Sequence, residues 1–165
     1  MAFAVRLLFL LCVINGLLSG GHSFLFNYWK EKIVINNCPK GWTQFNCECY
    51  IFQAEGREFL DAESVCQVLG GNLVSIETAL ENIFVQGLIP EGVTSAWIGY
   101  NDQDGGGDYE WTDGTTPPFL NFDPPPSTSP LTSGECTVIN EDDGVWMTVP
   151  CTDTEPYVCK KPVVH

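Results

Sequence analysis

The sequence predicts an α+β domain stapled by disulfides: two helices, a set of antiparallel strands and a long irregular loop region. Three observations predict it. Cysteines recur from Cys38 to Cys159, two stretches between Glu58 and Gly87 carry helical apolar spacing, and short β-like runs flank a Gly-, Pro- and Asp-rich region from Asn101 to Gly134.

The chain opens with Arg6 before an aliphatic run from Leu7 to Ile14, and small residues follow at Ser19, Gly21 and Ser23. A basic start, a short apolar run and small residues are the pattern of a cleaved signal peptide, residues 1–23. The run is shorter than the ~20 apolar residues needed to cross a bilayer, so no membrane insertion is expected. Residues 24–37 form a leader with four aromatics, Phe24, Phe26, Tyr28 and Trp29. It reads either as a packed terminal strand or as an arm for self-association. One domain is expected over 38–161, with a tail at 162–165; roughly 140 residues after cleavage suffice for a single core.

Charge narrows the partners. Acids outnumber bases 21 to 7, giving −14, and loss of Arg6 takes the mature chain to −15. Between Arg57 and Lys160 there is no Lys or Arg. Phosphate backbones and anionic membranes would be repelled, which argues against nucleic acid. Cations, cationic protein patches and neutral glycans remain, as does the plainer reading that the charge serves solubility.

Cysteine use indicates an oxidising compartment, hence a secreted, extracellular protein. With Cys12 in the signal peptide, seven remain: Cys38, Cys47, Cys49, Cys66, Cys136, Cys151 and Cys159. Six can pair in 15 ways, leaving one free or joined to another chain. Zinc is disfavoured, since the only histidines are His22 and His165, at the two ends.

The elements follow in order. Cys38 to Trp42 and Cys49 to Phe52 are β-like and close enough for a hairpin. From Glu58 to Leu69, Phe59, Ala62, Val65, Cys66 and Leu69 recur every three or four positions, an amphipathic helix ended by Gly70-Gly71. Asn72 to Ile76 reads as a strand-like connection. A second helix is expected from Glu77 to Gly87, with Ser75 as N-cap and Ala79, Leu80, Ile83 and Phe84 facing inward. Trp97 to Tyr100 is a buried strand. Six prolines between Pro117 and Pro130 exclude a helix or central strand there. Strands resume at Cys136 to Ile139, Val145 to Thr148 and Tyr157 to Cys159.

Taken in order, Cys38-Pro-Lys-Gly-Trp42, Cys49-Tyr50, Cys66, Gly70-Gly-Asn-Leu-Val-Ser-Ile76, Trp97-Ile-Gly99, Trp111-Thr-Asp-Gly114, Cys136, Trp146, Cys151 and Tyr157-Val-Cys159 resemble the C-type lectin-like domain. The resemblance extends to small secreted fish lectins. The resemblance implies the bonds Cys66 to Cys159, Cys136 to Cys151 and Cys38 to Cys49, which leaves Cys47 over as an interchain candidate for a homodimer. By chain entropy the loop closed by Cys136 and Cys151 contributes roughly 3 kcal/mol, and that closed by Cys66 and Cys159 roughly 4 to 5. Trp97, Trp111 and Trp146 are expected in or beside the core.

The resemblance also implies where calcium and sugar would bind, because lectins of this family chelate two sugar hydroxyls on a calcium ion held by carboxylates and amides. The family's loop triplet, Glu-Pro-Asn or Gln-Pro-Asp, is replaced here by Pro126-Ser127-Thr128. Gly134 stands two before Cys136 in place of a glutamate, with only Glu135 beside it, and Met147-Thr148 follow Trp146 in place of Asn-Asp. The usual calcium-chelated sugar site is therefore not expected, and no cofactor is required. Asp102, Asp104 and Asp108 are the candidates for a weak calcium elsewhere, against a reading as solvated acidic surface. The expected function is glycan recognition in the extracellular space through the long loop, with Phe119, Phe122, Pro126, Ser127, Thr128, Glu135, Met147 and Thr148 as candidate contacts. The alternative is calcium-independent binding of protein, ice or mineral. No catalytic residues are expected: no histidine lies inside the domain, and neither a Gly-x-Ser-x-Gly turn nor a phosphate loop occurs.

Overall fold

The computed structural model describes residues 37–126 and 134–163. The signal-peptide stretch, the aromatic leader up to residue 36, and Ser127 and Thr128 lie outside these residues.

Ten elements follow one another. Strands β1 (Thr43–Phe45) and β2 (Glu48–Arg57) form the first hairpin, turning through Asn46 at φ 53°. Helix α1 (Phe59–Val68) buries Phe59, Ala62 and Cys66 of the stripe the sequence carries, leaves Val65 half-buried, and adds Glu63, whose Oε2 accepts from the Leu73 N–H at 2.7 Å. It ends where Gly70 adopts φ 87°, a left-handed conformation that costs a glycine nothing. Strand β3 is short, Asn72–Leu73; the stretch expected to run on to Ile76 is buried, and Val74 still donates to the Val158 carbonyl and accepts from the Gly99 N–H, each at 2.9 Å. Then come α2 (Ala79–Gln86), β4 (Ser95–Asp102), β5 (Glu110–Trp111), β6 (Glu135–Asn140), β7 (Trp146–Pro150) and β8 (Glu155–Pro162).

The strands make one sheet in the order β1-β2-β8-β4-β6-β7, with β3 on β8 and β5 on β4. All pairs are antiparallel except β4 with β8, which meet in parallel at Trp97 and Tyr157. The sheet is therefore mixed at its centre rather than wholly antiparallel, because β8, the last strand, is inserted between β2 and β4.

Helix α2 departs from its expected face. Leu80 and Ile83 are 65% and 63% exposed, while Glu81, Asn82 and Val85 are buried. Two polar residues go inward because each finds a buried partner. Asn82 accepts from Trp146 Nε1 at 2.7 Å and donates to the Gly144 carbonyl at 2.9 Å. Glu81 meets Lys160 Nζ at 2.9 Å and the Tyr50 hydroxyl at 2.7 Å. The cap differs too. Thr78 Oγ1 accepts from the Glu81 N–H at 3.1 Å, and Ser75 instead donates to Asp113 at 2.5 Å and accepts from Lys160.

Three disulfides staple the domain: Cys38 to Cys49, Cys66 to Cys159, and Cys136 to Cys151. They tie the chain entry to β2, α1 to β8, and β6 to the turn after β7. The core lies on both sides of β4. On one side Phe59 meets Trp97 edge to face at 5.6 Å beside the Cys66–Cys159 bond. On the other, Trp111 and Trp146 meet edge to face at 5.6 Å with Val85, Ile98 and Val158 around them. Trp97, Trp111 and Trp146 are all almost wholly buried.

Candidate functional site

The end of β4 carries a polar cleft. Its lining comes from the last residues of β4, the turn that follows and β5: Asn101, Gln103, Asp104, Asp108 and Glu110, around a volume of about 470 Å³. Pairing of β4 with β5 sets the geometry, since Asn101 lies opposite Glu110 and its Nδ2 donates to the Glu110 carbonyl at 3.1 Å. The lining offers three carboxylates and two amides and no base, a surface suited to hydroxyl-bearing or cationic groups.

An aromatic row runs back from this cleft into the core. Tyr109 stacks on Tyr100 at 5.5 Å, Tyr100 touches Phe122 at 5.9 Å, and Phe122 meets Trp146 edge to face at 5.4 Å. The Tyr109 hydroxyl donates to Glu135 Oε2 at 2.7 Å. Burial first, and this bond second, hold its proton well above the usual tyrosine range. The hydroxyl therefore acts as a fixed donor to Glu135.

The residues singled out from sequence fall into two groups. Phe119 and Phe122 both turn their rings onto Trp146, and the Asn121 carbonyl between them accepts from the Trp146 N–H at 2.8 Å. They anchor the start of the loop and are half-buried. Pro126 ends the first described stretch, and Ser127 and Thr128 lie beyond it. Met147 is exposed and Thr148 half-buried on β7. Glu135 sits at the other end of the β6–β7 ladder, opposite Pro150, whereas Met147 faces Val138. That separation is three residues, about 10 Å along a strand. Glu135 therefore belongs with Tyr109, and Met147 does not.

Among the acids, Asp102 is buried; its Oδ2 accepts from the Gly107 N–H at 2.9 Å, and its Oδ1 is buried with no partner among the described residues. Asp104 Oδ1 accepts from the Gly106 N–H at 3.0 Å. Asp108 lines the cleft. Among the described residues no three His, Cys, Asp or Glu side chains converge as a metal site. Asn101, Gln103 and Glu110 were not legible as site residues. The Gly105 to Gly107 run marks a turn, but only the β4–β5 pairing brings Glu110 opposite Asn101.

The family model of the C-type lectin domain matches residues 55–161 of this chain. The chain belongs to the C-type lectin domain family. It is 34% identical over 125 residues to human C-type mannose receptor 2, a match covering 75% of this chain and only 8% of that receptor. Among solved structures it is similar to the cow CD23 C-type carbohydrate-recognition domain determined with an oligosaccharide, at TM-score 0.70 and 26% identity over 79% of this chain and 99% of that one. It is likewise similar to a calcium-independent type II antifreeze protein, at TM-score 0.69 and 26% identity over 77% and 95% of the two chains.

In this C-type lectin domain the position two before Cys136 is closed by backbone. A Cβ added at Gly134 would run into the carbonyl of Gln103, with no flexible side chain there to yield. Glycine is what lets the end of the long loop pass over the turn after β4. Any side chain at this position requires the backbone at Gln103 or at Gly134 itself to shift.

Proposed function

We propose that this chain is a secreted C-type lectin-like protein that recognises glycans in the extracellular space without a calcium-chelated sugar site. The observation that supports the reading most is the close approach of Gly134 to the Gln103 backbone, where an added Cβ would force the chain to shift and so disfavours a ligand carboxylate at the position the family uses. Met147 and Thr148, after Trp146, supply a thioether and one hydroxyl where an amide and a carboxylate would be needed. Asp102 and Asp104 spend oxygens on the backbone N–H groups of their own turn. The residues at the family's sugar-site positions do not fit a sugar-chelating calcium, and binding of the glycan rests on direct hydrogen bonds instead.

The cleft bounded by Asn101, Gln103, Asp108 and Glu110 offers the amides and carboxylates that pair with sugar hydroxyls, with Tyr109 and Glu135 beside it. Three disulfides fit an oxidising compartment, and among the described residues no helix is long and apolar enough to cross a membrane. The activity is binding, not catalysis. The exposed thiol of Cys47 joins two copies of the chain.

A glycan array run with calcium and again with chelator tests the reading. Binding to a defined glycan set that survives chelation is expected, and substitution of Glu110 by Gln should weaken it severalfold. Binding abolished by chelator, or no glycan bound in either condition, overturns it. One observation favours a second reading: the likeness to a calcium-independent antifreeze protein at TM-score 0.69. In that reading the scaffold binds ice, mineral or protein, and arrest of ice growth by a protein silent on the array would establish the first of these.

A further inference from the structure

The outer face of α2 is apolar and uncharged on a protein of net charge −14. Leu80 and Ile83 stand three apart on it, both mostly exposed. The only charged residue of the helix, Glu81, points the other way into the ion pair with Lys160. Phe84 extends the face towards β1, where its ring stacks on Phe45 at 4.6 Å and 19°. Two residues after Phe45, in the hairpin turn, stands Cys47, exposed and without a disulfide partner among the described residues. Two residues span at most about 7 Å of chain, so the thiol lies at the border of the apolar face.

We infer that this face, formed by Phe45, Leu80, Ile83 and Phe84, docks a second copy of the same chain, with the two Cys47 thiols meeting across a two-fold axis. The inference rests on the reading that Cys47 joins two copies and adds the surface that brings them together. An identical copy is the occupant that fits on two independent counts. A copy brings the same odd thiol, and two-fold pairing sets like positions against like. Electrostatics selects the face as well: mature copies carrying −15 each repel wherever their acids meet, and α2 itself presents none outward.

The covalent step balances with a low-molecular-weight disulfide of the glutathione class as oxidant. The Cys47 thiolate of one copy attacks it, forming a mixed disulfide and releasing one small thiol. The Cys47 thiolate of the other copy then displaces the second small thiol. One interchain S–S bond forms, the oxidant's S–S bond breaks, and the two protons lost by the cysteines end on the released thiols. An eight-residue helix is about 12 Å long, so the face falls short of the ~800 Å² per partner of a standard interface. The disulfide supplies, through effective concentration, what the area lacks.

The test is light scattering after size exclusion, from micromolar to millimolar, beside non-reducing electrophoresis of the full secreted chain. Wild type is expected as a covalent dimer. Cys47→Ser should dimerise reversibly and weakly. Adding Leu80→Glu and Ile83→Glu to Cys47→Ser should raise its dissociation constant at least tenfold, whereas Val68→Glu on α1, at an 88% exposed position, should leave it unchanged. Because all three sites are on the surface, retained thermal stability shows that the variants fold. A covalent wild-type dimer with Cys47→Ser monomeric throughout overturns the docking face and leaves the disulfide standing. A monomeric wild-type gel with α2-dependent reversible association overturns the disulfide and leaves the face. Reversible association unaffected by Leu80→Glu and Ile83→Glu overturns the inference outright.

Discussion

Replacing Lys160 by Met should be among the most damaging single changes in this domain. The Lys160 ammonium lies 2.9 Å from Glu81 Oε1, 3.0 Å from the Ser75 carbonyl and 3.5 Å from Glu77 Oε1, with its side chain 11% exposed and that of Glu81 7%. Glu81 is further fixed by the Tyr50 hydroxyl at 2.7 Å and the Glu77 N–H at 2.9 Å. Methionine roughly fills the volume, so the loss is electrostatic: a carboxylate is left buried without its counter-charge. Breaking such a pair from one side costs about 3 to 5 kcal/mol, whereas removing both charges is often close to neutral. For a domain of this size that is a fall in Tm on the order of 10 to 20 °C. The assay is a double-mutant cycle by urea unfolding: Lys160→Met, Glu81→Met and both together. The double variant should be more stable than Lys160→Met alone by at least about 2 kcal/mol. Additive effects, or a loss under ~1 kcal/mol for Lys160→Met, would refute the claim that Lys160 neutralises α2 from within.

Two further predictions follow from the same geometry. Gly134→Glu, which restores the family's residue type, should destabilise the fold by about 1 to 3 kcal/mol and produce no calcium-dependent rise in Tm, because its Cβ meets the Gln103 carbonyl; a calcium-induced stabilisation measured by differential scanning fluorimetry would contradict this. Burial and the bond to Glu81 raise the Tyr50 proton affinity far above the ordinary value of 10.0, so above pH 10 the unfolded chain ionises there while the folded one does not. Stability from Tyr50 is therefore fully present below pH 10 and declines as pH rises beyond it, by about 1.4 kcal/mol per pH unit. Tyr50→Phe should flatten that alkaline slope by one proton in unfolding curves recorded on thiol-blocked protein, and an unchanged slope would exclude Tyr50 as its source.

What the sequence shows of this molecule is what local chemistry decides. The apolar part of the α1 face was legible because Phe59, Ala62 and Cys66 recur at three and four positions, though buried Glu63, bonded to the Leu73 N–H, was not, and a turn at Gly70 follows from glycine alone. The inward face of α2 was not, because its buried residues are polar and their partners are remote in sequence. Asn82 is satisfied by Trp146, 64 positions on, and Glu81 by Lys160, 79 positions on. Apolar periodicity then selects Leu80 and Ile83, which the fold leaves outside. The cleft follows the same logic, for Asn101 and Glu110 become neighbours only through the β4–β5 pairing. The row of landmark tryptophans and cysteines was legible as a resemblance because it is ordered along the chain, independent of any one contact.

The contact at Gly134 bears on how such a domain can change its ligand. On the proposed reading, the replacements at Met147 and Thr148 would by themselves be reversible, since both residues sit on a regular strand. Gly134 is different, because there the chain passes so near Gln103 that even a Cβ is excluded, and reinstating a carboxylate requires the turn after β4 to move. That turn is held by Asp102 and Asp104, whose carboxylates accept the N–H groups of Gly107 and Gly106. Asp102 and Asp104 thus fix the turn beside Gly134, and Asn101, Gln103 and Asp104 of the cleft lining belong to that stretch. On the proposed reading, opening the turn far enough to admit a calcium ligand would remodel the cleft itself, so the two modes of binding are mutually exclusive on this backbone.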